Sequence, residues 1–135
     1  MSELEIADQI VKAAIRIHRK FGPGLLAEVY KSLLVLELVK LGYWVEQEVP
    51  YSIVHEGVTL DVGFKADLVV QDRVIVGFAS DDAPMKVEKQ KMTTCLRLTG
   101  YKLGYLLNFG EEWMKDGISR FFNSGKPQMN LSGVG

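Results

Sequence analysis

The sequence predicts an α/β fold, a central mixed β-sheet flanked by α-helices, formed as a single domain by residues 1–122. Apolar residues recur at helical spacing in three segments, and the remaining apolar segments show the alternating or continuous pattern of strands. The chain has 135 residues, of which 47% are hydrophobic, so it can bury a core of its own. Residues 123–135 are polar and rich in Gly, Ser and Pro, and we expect a flexible C-terminal tail there.

Three helices are predicted, over residues 3–20, 26–41 and 85–99. Ser2 followed by Glu5 is a capping-box pattern, which favours a helix start at the N-terminus. The segment Gly22-Pro23-Gly24 should end the first helix, because glycine tolerates left-handed backbone and proline cannot continue the hydrogen-bond ladder. The acidic pair Asp81 and Asp82, just before the third helix, is interpreted as an N-cap rather than as relocated metal ligands.

Strands are predicted at residues 44–49, 52–55, 58–64, 65–70, 74–80, 103–109 and 117–122. Pro50 separates the first two, and the polar turn Gln71-Asp72-Arg73 should join residues 65–70 and 74–80 into a hairpin. In that register Asp67 pairs with Gly77, and opposed Cβ atoms lie roughly 4.5–5.5 Å apart. Residue 79 should share the face of residue 77 and stand opposite Lys65. Such a geometry suits two carboxylates that share a divalent ion, but only Asp67 supplies one.

Composition excludes several classes of protein. The formal net charge is -1, so no global basic field draws the chain to nucleic acid or to an anionic membrane. Cys95 is the single cysteine, which excludes an internal disulfide or a thiolate metal cluster. The N-terminal residues do not resemble a signal peptide, and no segment has the length of a membrane span. We expect a cytoplasmic protein with no membrane partner.

Several stretches occur in an order and spacing that identify a family resemblance. They are residues 17–26, Glu28-Val29-Tyr30, residues 47–50, residues 65–70, Gln90, Thr99-Gly100 and residues 104–110. The chain resembles the GxxExxY family, a branch of the PD-(D/E)XK nuclease superfamily, over nearly its whole length to about Phe122. The resemblance implies a PD-(D/E)XK core, similar to that of restriction endonucleases.

The resemblance also implies that the active site is degenerate. The Glu that names the family falls at Ala27, although Gly24 and Tyr30 keep their places. The metal-binding Asp matches Asp67, the second metal carboxylate falls at Gly77, and the lysine that acts on water falls at Ala79.

Positions on the third helix depart from the family pattern in the same way. A family His falls at Val87, and in the pattern Gln-x-x-x-Tyr the Gln is Gln90 while the Tyr is Thr94. These three positions share one helical stripe. We therefore expect the altered positions of the second helix, the hairpin and the third helix to converge on one site.

Loss of these groups predicts a pseudoenzyme. A lost general acid or base typically costs about 10²–10⁴-fold in rate, and Asp67 alone would hold Mg²⁺ weakly. What remains at the predicted site is Asp67, Gln90 and Lys65. The predicted role is a nucleic-acid- or protein-binding module. Lys65, Lys86, Lys89 and Lys91 are the candidate nucleic-acid contacts, and DNA, a protein or a second copy of the chain is the candidate partner.

An alternative is a weak DNA nuclease that uses Mg²⁺ or Mn²⁺ at Asp67, with Glu28, Asp81 or Lys65 in relocated roles. A cofactor is otherwise not expected. Glu28 is more simply a solvated helix residue, and Lys65 a structural or phosphate-facing cation. His18 is expected to pack or hydrogen bond, and Cys95 to be buried and unreactive. A third possibility is a stable fold that retains no molecular role.

Overall fold

The computed structural model describes residues 2–80 and 83–123. In chain order the elements are α1 (Glu3–Phe21), α2 (Ala27–Lys40), β1 (Val45–His55), β2 (Val58–Val70), β3 (Val74–Phe78), α3 (Met85–Thr99), β4 (Leu103–Leu107), a 3₁₀ turn (Met114–Gly117) and β5 (Ile118–Phe122). The five strands form one sheet in sequence order, with β3 and β4 parallel and the other neighbours antiparallel. The predicted mixed sheet with flanking helices is confirmed.

The helix boundaries follow from local chemistry. Ser2 Oγ accepts from the Glu5 backbone nitrogen at 3.2 Å, and Glu5 Oε1 accepts from the Ser2 nitrogen at 3.4 Å, so the capping box is formed. Gly22, at a φ of 69°, closes α1 by donating its N–H to His18. The predicted acidic N-cap of α3 is wrong. The residue directly before α3 is Pro84, no side chain caps the helix among the described residues, and residues 81–82 lie outside them.

The structure has fewer strands than predicted, and the first two are longer because each joins two predicted strands. β1 runs straight through Pro50, because β1 is an edge strand and an edge position can lack one donor. The two strands predicted at 58–64 and 65–70 are the single strand β2. β3 ends at Phe78 and β4 at Leu107, each two residues before the predicted end. The tail predicted at 123–135 lies, apart from Asn123, outside the described residues.

The helices cover both faces of the sheet, and β1 and β2 change face halfway along. α1 and α2 enclose the larger core, to which Val45 and Val70 belong, and α3 covers a second core, to which Val49 and Ala66 belong. The change coincides with Glu48, whose φ of 49° is unusual for a residue other than glycine. No helix among the described residues is long and apolar enough to cross a membrane.

Candidate functional site

The β2–β3 hairpin places Asp67 opposite Gly77. The three-residue turn gives the predicted register, with Leu68 paired with Val76. A Cβ atom added to Gly77 would lie 3.9 Å from Asp67 Oδ2, so a carboxylate at residue 77 would share the space around Asp67. Asp67 Oδ2 instead accepts a hydrogen bond from the Phe78 backbone nitrogen at 2.9 Å.

The backbone pairing of β2 with β3 ends at this hydrogen bond. One prediction about Lys65 is therefore wrong. Lys65 was expected to stand opposite Ala79, but the paired part of β2 and β3 ends at Leu68 and Val76. Beyond it, the Ala79 nitrogen donates to the Leu107 carbonyl on β4 at 2.9 Å. Lys65 still lies near Asp67, because both line a cavity of about 170 Å³ with Gly77 and the inner side of α3. Ala79 does not line that cavity.

Ala27 and Ala79 come together at a second cleft of about 490 Å³, which Glu28 and Ser80 also line. The two positions at which the family resemblance implies a Glu and a Lys therefore do meet in space. Both hold alanine, so neither can bind a metal ion or act on water. The side chain of Glu28 is 81% exposed, as expected for a solvated residue, although its Oε2 lies 3.6 Å from Lys31 Nζ.

Tyr30 lines the same cleft and stabilises the loop between α1 and α2 by hydrogen bonds. Its hydroxyl donates to the Gly22 carbonyl and accepts from the Leu25 nitrogen at 3.1 Å. Its ring stacks on Phe109 with centroids 4.4 Å apart. Gly24 in this loop has a φ of 118°, a conformation that favours glycine. The retained motif residues Gly24 and Tyr30 therefore have structural roles that do not depend on catalysis.

A buried lysine that the sequence analysis did not single out lies beside Asp67. Lys31 is only 6% exposed, and its ammonium forms an ion pair and hydrogen bond with Glu48 and a second ion pair with Glu28. Burial by itself lowers the pKa of Lys31, but the hydrogen bond and charge of Glu48, with Glu28 and Asp67, outweigh that effect and raise it. Lys31 is therefore held in its charged form.

The electrostatic environment of Asp67 differs from that of an exposed carboxylate. Burial raises the pKa of Asp67, and the hydrogen bond from Phe78 and the charge of Lys31 only partly offset this effect. Cys95 lies nearby and is buried, as predicted, and burial together with the Asp67 charge raises the pKa of its thiol to about 12. The thiolate is the reactive form of cysteine, so Cys95 is unreactive here.

α3 faces the Asp67 cavity with a different stripe from the one predicted. Glu88, Lys91, Met92 and Cys95 line that cavity, at spacings that place them on one helical face. The predicted stripe is turned away from it. Val87 is 38% exposed, and Gln90 and Thr94 line a depression on the outer surface of α3. The altered positions therefore converge only in part: Ala27 and Ala79 line one cleft, Gly77 lines the Asp67 cavity, and the α3 positions face neither.

The candidate nucleic-acid contacts lie on two neighbouring parts of the surface. Lys86 and Lys89 are exposed and line the outer depression of α3 with Gln90. Lys65 and Lys91 line the Asp67 cavity. Lys91 also lies 3.8 Å from Glu88, so part of its charge is balanced locally.

The histidines have no role at this site. His18 Nε2 donates to the Glu111 carbonyl at 2.8 Å and the residue is buried, which confirms the structural role predicted for it. His55 is exposed near the β1–β2 turn.

The side chains around Asp67 do not fit a divalent metal ion. Mg²⁺ is usually held by one or two carboxylates together with waters and substrate phosphates. Asp67 has no carboxylate opposite it on β3, one of its oxygens accepts from Phe78, and the ammonium of Lys31 is close enough to affect its pKa. Among the described residues no group of three or more His, Cys, Asp or Glu side chains could hold a metal ion.

Lys31 and Glu48 were missed because charged residues are normally assigned to the surface. One signal was present in the sequence. Lys31 follows Ala27 by four residues, which places both on the same face of α2. A residue that shares a helical face with a predicted site position is a candidate for the same site.

Comparisons with known proteins agree with the fold. A family model described as the PD-(D/E)XK nuclease superfamily matches residues 4–121. Neither the curated proteins nor the solved structures contain a match to the chain.

Proposed function

Because this chain belongs to the PD-(D/E)XK nuclease superfamily, we propose that it is a member that has lost nuclease chemistry and works as a nucleic-acid-binding module. We assign it to the GxxExxY branch on the sequence resemblance described above. The observation that carries the loss of chemistry is Gly77, which stands opposite Asp67 where a second metal carboxylate would be needed.

Two further features support the loss of nuclease chemistry. Ala27 and Ala79 meet at one cleft, so the Glu and the Lys implied by the resemblance are both absent from the place where they would act. The buried cation Lys31, whose charge acts on Asp67, is engaged by Glu48 and Glu28. A lysine held in its charged form cannot take a proton from water.

Binding of nucleic acid is supported by the charge of α3. Its sequence contains Lys86, Lys89, Lys91 and Arg97 but one acid, Glu88. Glu88 lies on the inner side of the helix, whereas Lys86 and Lys89 project from the outer surface. Exposed cations attract phosphates and release counterions, and this attraction does not require catalysis.

A second candidate is binding to a protein, and the exposed outer side of α2 favours it. Leu36 and Val39 are both more than half exposed there, and exposed apolar patches mark interaction sites. The partner proposed for this surface is a second copy of the chain. Sedimentation equilibrium would show a dimer that Leu36→Glu converts to monomer.

The alternative of a weak nuclease has less support. Lys65 does lie in the Asp67 cavity, but Glu28 lines the other cleft and is exposed. Asp81 lies outside the described residues. Mg²⁺ or Mn²⁺ would in this case have to be held mainly by Asp67.

A nuclease assay tests the loss of chemistry. The unmodified protein and Asp67→Ala are incubated with single- and double-stranded DNA in Mg²⁺ and in Mn²⁺. We expect no cleavage above buffer for either protein. Cleavage by the unmodified protein that Asp67→Ala abolishes would overturn the proposal and support the weak nuclease. Binding is tested separately by titrating labelled DNA at several salt concentrations, where no salt-dependent binding would overturn the nucleic-acid role.

A further inference from the structure

A cleft of about 630 Å³ beside the end of α1 has no part in the proposed function. It is lined by the last turns of α1, by the beginning of the α1–α2 loop and by residues 112–115, which lead into the 3₁₀ turn. Its volume lies within the range of small-molecule sites. Trp113, Arg19 and Lys115 are among the residues that line it, so its aromatic and cationic groups come from two separate segments of the chain.

The backbone on both sides of Trp113 is fixed by hydrogen bonds. The Glu111 carbonyl accepts from His18 Nε2 at 2.8 Å, and the Trp113 carbonyl accepts from the Asp116 nitrogen at 3.0 Å. The next residue, Met114, is buried in the larger core. The Trp113 side chain is nevertheless 61% exposed. It therefore presents its indole ring to solvent from a fixed backbone, on the wall of a cleft.

One exposed tryptophan is by itself ordinary, because single apolar side chains are common on protein surfaces. Trp44 is 67% exposed and does not line this cleft. Trp113 differs because the cations Arg19 and Lys115 line the cleft with it. Neither cation forms an ion pair with another of the described residues, so both charges are available to a ligand. Glu112 also lines the cleft, and the cations there exceed the acids by one.

An exposed aromatic ring beside free cations is the chemistry with which proteins bind single-stranded nucleic acid. A base stacks on the ring, and positive side chains contact the adjoining phosphates. Bases within a duplex are stacked on one another, so only an unpaired base offers its face to a protein ring. The cleft therefore fits a single strand better than a duplex.

We propose that this cleft binds an unpaired nucleotide of a single-stranded nucleic acid, with the base stacked on Trp113 and the flanking phosphates contacted by Arg19 and Lys115. The proposal rests on the proposed function, and it adds the class of nucleic acid and a contact separate from α3. This cleft and the cleft of Ala27 and Ala79 border the same α1–α2 loop. A strand bound at Trp113 therefore lies near the positions of the lost catalytic groups.

The test measures fluorescence anisotropy of a labelled DNA single strand of about 12 nucleotides, within the site sizes of such proteins, and of the same sequence as a duplex. We expect the unmodified protein to bind the single strand more tightly than the duplex. Trp113→Ala should weaken single-strand binding at least about fivefold, the lower end of the effect of removing a stacking ring, and should leave duplex binding unchanged. Trp113→Phe keeps an aromatic ring and should retain most of the affinity.

Trp44→Ala is the matched control, because Trp44 is a similarly exposed tryptophan outside the cleft. It should bind the single strand as the unmodified protein does. Arg19→Gln/Lys115→Gln should reduce the slope of log K against log salt for the single strand by about 1.4 in magnitude, since each phosphate contact contributes about 0.7. Equal single-strand affinity in the unmodified protein and in Trp113→Ala would overturn the inference.

A second measurement leaves the cleft unaltered. Trp44→Phe makes Trp113 the only tryptophan of the chain, so the fluorescence of this variant reports on the cleft. Saturable quenching by the single strand, at concentrations at which thymidine monophosphate has no effect, supports the inference. Equal quenching by the mononucleotide would assign the cleft to a free nucleotide and overturn the inference, as would binding of the strand without quenching.

The two proposals fail in different ways. DNA binding that does not involve Trp113 overturns this inference and leaves the proposed function standing. The absence of binding to both single-stranded and duplex DNA overturns the proposed function itself.

Discussion

Asp67 Oδ2 accepts a hydrogen bond from the backbone nitrogen of Phe78 at a distance of 2.9 Å. It takes the place of the next backbone hydrogen bond between β2 and β3. The Phe78 N–H is therefore satisfied by a side chain at the residue where the pairing of the two strands ends. Asp67 thus has a structural role in the hairpin in addition to any role inherited from a metal site. It would be retained for that reason even in a protein without catalysis.

Restoring the missing groups should restore cleavage. The variant Ala27→Glu/Gly77→Glu/Ala79→Lys returns both carboxylates and the lysine, and we expect Mg²⁺-dependent DNA cleavage at least about 10²-fold above the unmodified protein. The new Cβ at Gly77 would lie 3.2 Å from Met92 Cε, the end of a flexible side chain that can move. The measurement is the rate of cleavage of labelled DNA.

The same triple variant with Asp67→Ala added is the control, and it should be inactive. A triple variant with native circular dichroism and no cleavage in Mg²⁺ or Mn²⁺ would show that these three positions do not account for the loss.

Asp67→Asn should stabilise the protein at neutral pH. Burial raises the pKa of Asp67 above its ordinary value of 3.8. Between the two pKa values the native state binds more protons than the unfolded state, so the contribution of Asp67 to stability falls as pH rises through the native pKa. Asparagine keeps an oxygen that can accept from Phe78 but carries no charge. Thermal unfolding from pH 3 to pH 8 should show a higher Tm for the variant at pH 7 and no difference near pH 3.

The control for this pH dependence is Asp61→Asn, because Asp61 is an exposed aspartate on the same strand. A lower Tm for Asp67→Asn at pH 7 would mean that the ionised carboxylate, through Lys31, is net stabilising.

Tyr30→Phe should destabilise the α1–α2 loop. The substitution keeps the stacking on Phe109 but leaves the Leu25 N–H and the Gly22 carbonyl without their partner. Tyr30 is only 2% exposed, so the expected loss in the free energy of unfolding is about 1–3 kcal/mol. Urea denaturation measures it. Tyr30→Leu, which also removes the stacking, should lose more, and a Tyr30→Phe variant as stable as its parent would contradict the role of the hydroxyl.

Neutralising the outer face of α3 should weaken DNA binding and its dependence on salt. Lys86→Gln/Lys89→Gln removes two exposed charges, and each phosphate contact contributes about 0.9 to the slope of log K against log salt. We expect the slope to fall in magnitude by about 2. Lys40→Gln, on the exposed side of α2, is the matched control and should change neither quantity. Equal slopes for all three proteins would place the binding surface elsewhere.

The parts of the fold with strong local signals could be predicted from the sequence. The hairpin register followed from the length of its turn and the alternation of its strands, which together fix strand pairing. The strand break at Pro50 was wrong, because the cost of a missing donor depends on whether the strand lies at an edge. Whether β1 lies at an edge is set by the order of all five strands, which the sequence around Pro50 does not reveal.

The geometry of the candidate site could be predicted only where it follows from the register of the β2–β3 hairpin. The predicted register holds as far as Leu68 and Val76, and an added Cβ at Gly77 would lie 3.9 Å from Asp67 Oδ2. The pairing does not extend to Lys65 and Ala79, since the Asp67 side chain accepts the hydrogen bond from Phe78. The inner face of α3 was missed because periodicity identifies faces of a helix without showing which one meets the sheet. The spacing of Lys31 from Ala27 indicates its helical face, but its burial depends on Glu48 from another element, which no local pattern could reveal.

Tyr30 holds the α1–α2 loop by hydrogen bonds, and this role affects how active and inactive relatives of this protein can be told apart. The hydroxyl of Tyr30 and the positive φ of Gly24 are both demands of the loop. Selection for a stable fold will therefore preserve this glycine and this tyrosine in active and inactive descendants alike. Under the proposed function, the residues aligned with Ala27, Gly77 and Ala79 are instead the positions at which active and inactive relatives should differ.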